Sequence, residues 1–313
     1  MTDLLLSLLT YEFFHAIIRM ATPIALTAVG EVCNERSGVL NIGIEGMMLI
    51  GAFFAVVGSA YSQNAFVGVL TAMLAGLLTA LIYGVIVITL KANQIVAGFA
   101  INIAALGITS FLYRVIFGIH GLPVQVPGVN PWNVPLLNKI PIVGPLLFQN
   151  NSIVYFAYLL IPIVFFVLYK TTIGLRIRSV GENPRAADMV GINVNFWRYI
   201  TTLLNGILCG VAGAALSLAN VNTFVDNITA GRGFIALAAV IFGRWNPVGA
   251  TLAALLFGAA QALALRFQAF GIGIPTQFLL MSPYVLSLIG IIVFRGSGSN
   301  PAALTNPYNK EAV

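Results

Sequence analysis

The chain has 313 residues, of which 59% are hydrophobic and 8% charged, against roughly 25% charged in soluble domains. That composition excludes a soluble globular fold, which could not hide so much apolar surface. Fifteen basic and nine acidic residues leave a net charge of +6, but several of the bases fall at the ends of apolar runs, where membrane topology places them, so the charge gives no ground for a nucleic-acid partner.

Residues 1–11 carry no basic stretch and no A-x-A site, so no cleaved signal peptide is expected. A spanning helix needs about 20 mostly apolar residues. Runs of that kind lie near 12–33, 39–60, 65–90, 94–118, 152–170, 197–220, 247–266 and 276–295. They predict an all-α polytopic transmembrane bundle that forms one domain over 1–313 and is embedded in membrane lipid. A ninth run, Phe234 to Gly243, is too short to cross alone and is flanked by Gly231, Gly233, Asn246 and Pro247. It predicts half of a broken helix, tolerated only where protein or a cavity surrounds it, and brings the count to eight or nine membrane segments.

Orientation follows from the loops. Residues 170–198 hold Lys170, Arg176, Arg178, Arg185 and Arg198, whereas 119–151 has one base, Lys139. The first is therefore cytoplasmic and the second external. Alternation puts Arg36, Lys91, Arg295 and the polar tail inside and the N-terminus outside. The external loop 119–151 contains six prolines (Pro123, Pro127, Pro131, Pro135, Pro141, Pro145), which predict an extended, partly ordered segment. GIEGMMLIGAFF from Gly43 parallels GRGFIALAAVIF from Gly231. With the topology above, the two copies run in opposite directions, the pattern of an inverted repeat with halves 12–118 and 197–295.

No G-x-x-x-x-G-K-[ST] occurs, so a P-loop is excluded. Cys33 and Cys209 signal neither a metal site nor a disulfide framework. Proton-coupled carriers place acids deep in their spans, and here only Glu45 lies clearly inside an apolar run, with Glu31 and Glu35 at a segment end. Sodium coupling through backbone carbonyls stays open. In the cytoplasmic segment 171–196, Asn183 suits an N-cap, Pro184 a first helical position and Gly191 a left-handed stop, predicting a short rigid helix from Pro184 to Val190. Ala186 and Ala187 leave part of its surface bare, which allows close approach by another protein.

The stretch GLRIRSVGENPRAADMVGI at 174–192 resembles the coupling-loop signature of permease subunits of ribose-type and branched-chain-amino-acid-type ABC importers. ERSGVLNIGIEGMMLIGAF at 35–53, GRGFIALAAVIFGRWNPVGA at 231–250, NPAALTNPY at 300–308 and the Pro-rich loop ending IPIVGPLLFQN are similar to the simple-sugar and nucleoside branch. The resemblance implies a non-enzymatic translocation subunit in the bacterial plasma membrane, paired with a second permease as homodimer or heterodimer. It further implies a cytoplasmic ATPase engaging Gly181, Glu182, Asn183, Pro184, Ala186, Ala187 and Gly191, and an external solute-binding protein. No cofactor is expected on this chain, since ATP and Mg belong to the ATPase.

Candidates for the substrate path are the polar residues inside spans, Asn41, Glu45, Asn102, Asn205 and Gln261, with the aromatics Phe53 and Phe234 at the two broken elements. Each buried amide has a second reading, a hydrogen bond to a neighbouring helix. Glu45 likewise either lines the path or pairs with Arg36. The scarcity of deep charge points to a neutral solute such as a nucleoside or simple sugar, held by amides and aromatic stacking, rather than an amino-acid zwitterion. A sodium-coupled secondary transporter and an ABC permease for branched-chain amino acids are the alternatives.

Overall fold

A computed structural model describes residues 10–118, 123–133, 144, 147–270, 275, 277–278, 281–293 and 300–310. Helix α1 covers Tyr11–Arg36, α2 Ile44–Ser62, α3 Ala65–Gly84, α4 Gln94–Phe117 and α5 Ser152–Lys170. The short helices α6, Thr172–Glu182, and α7, Pro184–Met189, follow, then α8, Val194–Ala214, α9, Arg232–Phe242, α10, Pro247–Ala269, and α11, Ser282–Val293. Wide-turn segments extend α3 over Val85–Thr89 and α8 over Ala215–Val221.

Among the described residues seven helical segments are long and apolar enough to cross a bilayer: α1 to α5, α8 and α10, with α3 and α8 counted through their extensions. The predicted short run is the eleven-residue α9, and the last predicted span is described as the twelve-residue α11. Asparagine starts most of these helices. Asn64, Asn93, Asn151, Asn183, Asn193 and Asn246 each accept a backbone N–H of the first turn, satisfying donors that no intrahelical carbonyl reaches.

The core is built on α2, α3 and α8, with α1, α9 and α10 packed beside them. Small residues let these backbones close up, because lipid gives apolar side chains no reason to leave it and van der Waals fit must hold the bundle. A Cβ at Gly76 would run into the Gly206 carbonyl, and one at Gly213 into the Met48 carbonyl.

On one face of the bundle the Pro-rich segment forms a short antiparallel ribbon, β1 at Pro131–Asn133 and β2 at Gln149–Asn151, with Pro131 opposite Asn151. Before it, Val126 and Val129 donate their N–H groups to the carbonyls of Asn222 and Leu218, and Ser59 Oγ donates to the Pro127 carbonyl at 2.6 Å. Residues 126–129 of the loop thus run in extended form over the ends of α2 and α8. Its residues 119–122, 134–143 and 145–146 lie outside the described residues.

The segment 171–196 differs from the expectation of one short helix in a loop. Thr171 caps α6 through Gly174 N–H, so most of the segment is helical, and α7 follows after the single residue Asn183.

Candidate functional site

Two polar junctions organise the interior. The first surrounds Glu31, which is fully buried on α1. Its Oε1 accepts the Asn41 N–H at 2.7 Å, and its Oε2 accepts the side-chain amides of Asn205 and, at 3.4 Å, Asn34. Asn34 Oδ1 in turn accepts the Thr202 hydroxyl at 2.8 Å. The sequence places Glu31 at a segment end; the structure corrects this, because the elbow at 37–43 folds back over the end of α1 and seals the carboxylate inside.

The second junction starts the two broken helices. Asn41 Oδ1 accepts the Gly43 N–H at 2.9 Å, and Asn102 Oδ1 on α4 accepts the Gly46 N–H at 2.7 Å while its Nδ2 donates to the Ile42 carbonyl at 3.0 Å. These amides hold the first turn of α2. From that turn Glu45 reaches the start of α9, where its Oε1 accepts the Gly231 N–H at 2.7 Å and its Oε2 the Gly233 N–H at 2.6 Å. A carboxylate on orphan donors at a helix N-terminus is favoured by both hydrogen bonding and the helix dipole. Glu45 does not pair with Arg36. That guanidinium donates instead to the carbonyls of Trp245 at 2.9 Å and Arg244 at 3.3 Å.

Five of the path candidates, Asn41, Glu45, Phe53, Asn102 and Asn205, are therefore buried within this chain's own packing. The amides join helices, and Phe53 sits edge-on to Phe224 at 5.5 Å. Phe234 differs: it is 38% exposed, and its ring centroid lies 6.4 Å from that of the exposed Phe99 on α4, tilted by 31°. Gln261 is half-buried and, with Arg232 and Tyr284, lines a cavity of about 210 Å³ between α1, α9, α10 and α11.

The predicted cytoplasmic helix has the expected ends. Asn183 Oδ1 accepts the Ala186 N–H at 3.0 Å, Pro184 takes the first position, and Gly191 has φ +83°. Its faces divide the two alanines. Ala186 is exposed, whereas Ala187 packs against Val180 and Val194, so only the first contributes to a bare outer surface. Next to Ala186 the apolar side chains of Met189 and Val190 are 87% and 75% exposed. Gly181 is buried and packs so closely that a Cβ there would strike the Arg36 carbonyl, while Glu182 is exposed beside α7. Tyr308 of the tail lies against this helix, and burial followed by the neighbouring Asp188 carboxylate pushes its hydroxyl above the usual tyrosine range.

Comparison with known proteins decides the family. The family described as branched-chain amino acid transport system / permease component matches residues 13–295. The chain belongs to that permease family. It is 41% identical to the nucleoside ABC transporter permease protein NupC of Lactococcus lactis, over 90% of this chain and 92% of that one. With the guanosine ABC transporter permease protein NupQ of Bacillus subtilis it shares 40% identity over 93% and 94%, and with NupP of the same organism, also a guanosine permease protein, 28% over 83% and 75%. The permease is thus a multi-pass plasma-membrane transport protein.

Three features of this permease escape a reading of the sequence alone. Phe99 has no polar neighbour to single it out in an apolar run. The exposed Met189 and Val190 read as an ordinary helix end. The tail residues 300–310 stand out in the sequence only by resemblance, with nothing to show where they fold, yet they are held on α6 and α7.

Proposed function

We propose that this permease imports a nucleoside as one of two membrane subunits of a transporter whose ATP is hydrolysed by a separate cytoplasmic ATPase. The observation that carries the substrate class is the identity of 40% or more, across nine-tenths of both chains, to nucleoside and guanosine permease proteins. Two matching guanosine permease proteins in one organism favour a pair of unlike subunits. ATP and Mg sit on the ATPase in this reading, and an external solute-binding protein supplies the nucleoside to the face that carries the β1–β2 ribbon.

The geometry is consistent with a neutral solute. Both oxygens of Glu31 and of Glu45 already accept hydrogen bonds from groups of this chain, so neither presents an open carboxylate to the ammonium of a zwitterion. The exposed rings of Phe99 and Phe234 offer stacking faces of the kind that bind bases. The short α7, with Ala186, Met189 and Val190 outward, is the seat for the ATPase.

Uptake by proteoliposomes holding the permease with its co-purified subunits tests the reading. Labelled guanosine, ribose and leucine are offered with internal ATP, and separately with a sodium gradient and no ATP. ATP-dependent accumulation of guanosine above the other two is expected. Preference for leucine or ribose, or uptake driven by sodium alone, overturns it.

A further inference from the structure

The tail 300–310 returns to the bundle and is fastened at both ends of its course. The Ala303 N–H donates to the Gly181 carbonyl at 2.9 Å, and the Thr305 N–H to the Gly38 carbonyl at 3.2 Å. Arg198, buried on α8, donates through Nη1 to the Asn306 carbonyl at 3.0 Å and through Nε to the Ser37 carbonyl at 3.3 Å, so a single guanidinium grips tail and elbow together. Tyr308 closes the small apolar cluster of Val180, Ala187 and Val194. Beyond it Lys310 pairs with Asp188 of α7 at 3.5 Å, and Asn309 Oδ1 accepts from Lys91 Nζ at 3.0 Å. A polar chain end without such ties would stay disordered, because ordering it costs conformational entropy that only contacts repay.

The same tail is the common wall of two surface grooves. One, of about 380 Å³, runs between Glu182–Arg185 and residues 302–309. The other, of about 530 Å³, lies on the opposite side, between Lys91, Asp188 and residues 308–310. Helix α7 has only six residues and shows Ala186, Met189 and Val190 outward, a small footprint for a stable subunit contact. Tail and grooves enlarge it, and the exposed bases Lys91, Arg185 and Lys310 line those grooves beside the exposed apolar side chains of Met189 and Val190.

We propose that residues 300–310 form the second half of the surface on which the ATPase docks and are the direct link by which α7 holds the elbow at 37–43. The proposal rests on the ATPase reading above. The partner it fits is an ATPase whose groove is apolar at its floor, for Met189 and Val190, and acidic at its rim. Movement of α7 then reaches Gly38 through the tail. From Gly38 it passes by way of Asn41 and Gly43 to the first turn of α2, where Glu45 holds α9.

The test uses the whole transporter, purified with its ATPase. Thr305→Pro removes the N–H on Gly38 and cannot adopt the native φ of +67°; Tyr308→Ala empties the apolar cluster; Met189→Asp reports on α7 itself. With Tyr308→Ala, the permease should be recovered in normal amount. ATPase retention should weaken and ATP consumed per solute imported should rise, by about fivefold or more, the size of a typical coupling. Thr305→Pro should do the same, and if it yields no folded protein Tyr308→Ala decides alone. Normal retention and stoichiometry in Tyr308→Ala, while Met189→Asp strips off the ATPase, overturns the role of the tail only. If Met189→Asp is silent as well, the docking of an ATPase at α7 falls with it.

Discussion

The Glu45 carboxylate accepts the Gly233 N–H at 2.6 Å from 188 residues away in the chain, so the first turn of one helix closes the N-terminus of another. Without the carboxylate, Gly231 and Gly233 keep unpaired donors in a buried site, each costing about 1–3 kcal/mol. Glu45→Ala should therefore lower the thermal midpoint of the purified permease and its uptake together. Glu45→Gln, with one acceptor left, should fall between. Gly233→Ala should match the alanine variant of Glu45, since its Cβ would lie 2.7 Å from the Glu45 Cα, which is backbone and cannot swing aside. An unchanged midpoint in Glu45→Ala would remove this junction from the account.

The junction also fixes directions. Helix α2 ends at Ser62, one turn past Ser59, which is tied to the Pro-rich loop, whereas α9 ends at Phe242, just before Arg244 and Trp245, whose carbonyls receive Arg36. Two N-termini meeting at Glu45 and running to opposite faces are what an inverted repeat of 12–118 and 197–295 requires. In intact cells a membrane-impermeant thiol reagent should label Ser62→Cys, while Arg244→Cys should react only after permeabilisation. The native Cys33 and Cys209 are buried and should give little background. Labelling of both positions from one side would rule out the opposed orientation.

What could be read from the sequence was local. Asn183-Pro184 with Gly191, and Asn246-Pro247, announce helix ends by the chemistry of their own residues, and α9 announced itself by length. Helix α6 was hidden because its Arg, Ser and Gly content resembles a loop, and its helicity depends on the cap at Thr171 and on Gly174 packing under the Leu168 carbonyl. The depth of Glu31 and the true partners of Glu45, Asn102 and Asn205 were hidden for another reason. A polar residue inside one span does not reveal which neighbour it faces, and that depends on how the elbow at 37–43 folds.

The two alanines of α7 should now behave differently. Ala187 is 4% exposed against Val180 and Val194, so Ala187→Trp overpacks a closed cluster, at about 1–3 kcal/mol, and should raise proteolysis within 171–193. Ala186 faces outward, where substitutions cost less than about 0.5 kcal/mol. Ala186→Trp should leave proteolysis unchanged but weaken ATPase retention. Normal retention in Ala186→Trp would mean that the outer face of α7 is ordinary solvated surface.

Uptake kinetics should separate the former path candidates into two classes. Asn102 and Asn205 hold backbone and carboxylate groups that would otherwise be buried unpaired, and Phe53 fills the core against Phe224. Replacing any of these by Ala removes packing or hydrogen bonds inside one subunit, at about 1–5 kcal/mol. The amount of folded permease should drop, and Vmax with it, while KM per folded molecule stays constant. Phe234 is 38% exposed beside Phe99, so Phe234→Ala gives up less burial than Phe53→Ala and should yield more folded permease. If its ring stacks on a passing base, about 1–3 kcal/mol of contact is lost, and KM or transport rate should change roughly tenfold or more for guanosine while retention of the ATPase does not. Phe234→Tyr, which keeps the stacking face, should restore most of the activity. Should Phe234→Ala transport guanosine with native constants, that ring faces lipid and the solute passes elsewhere.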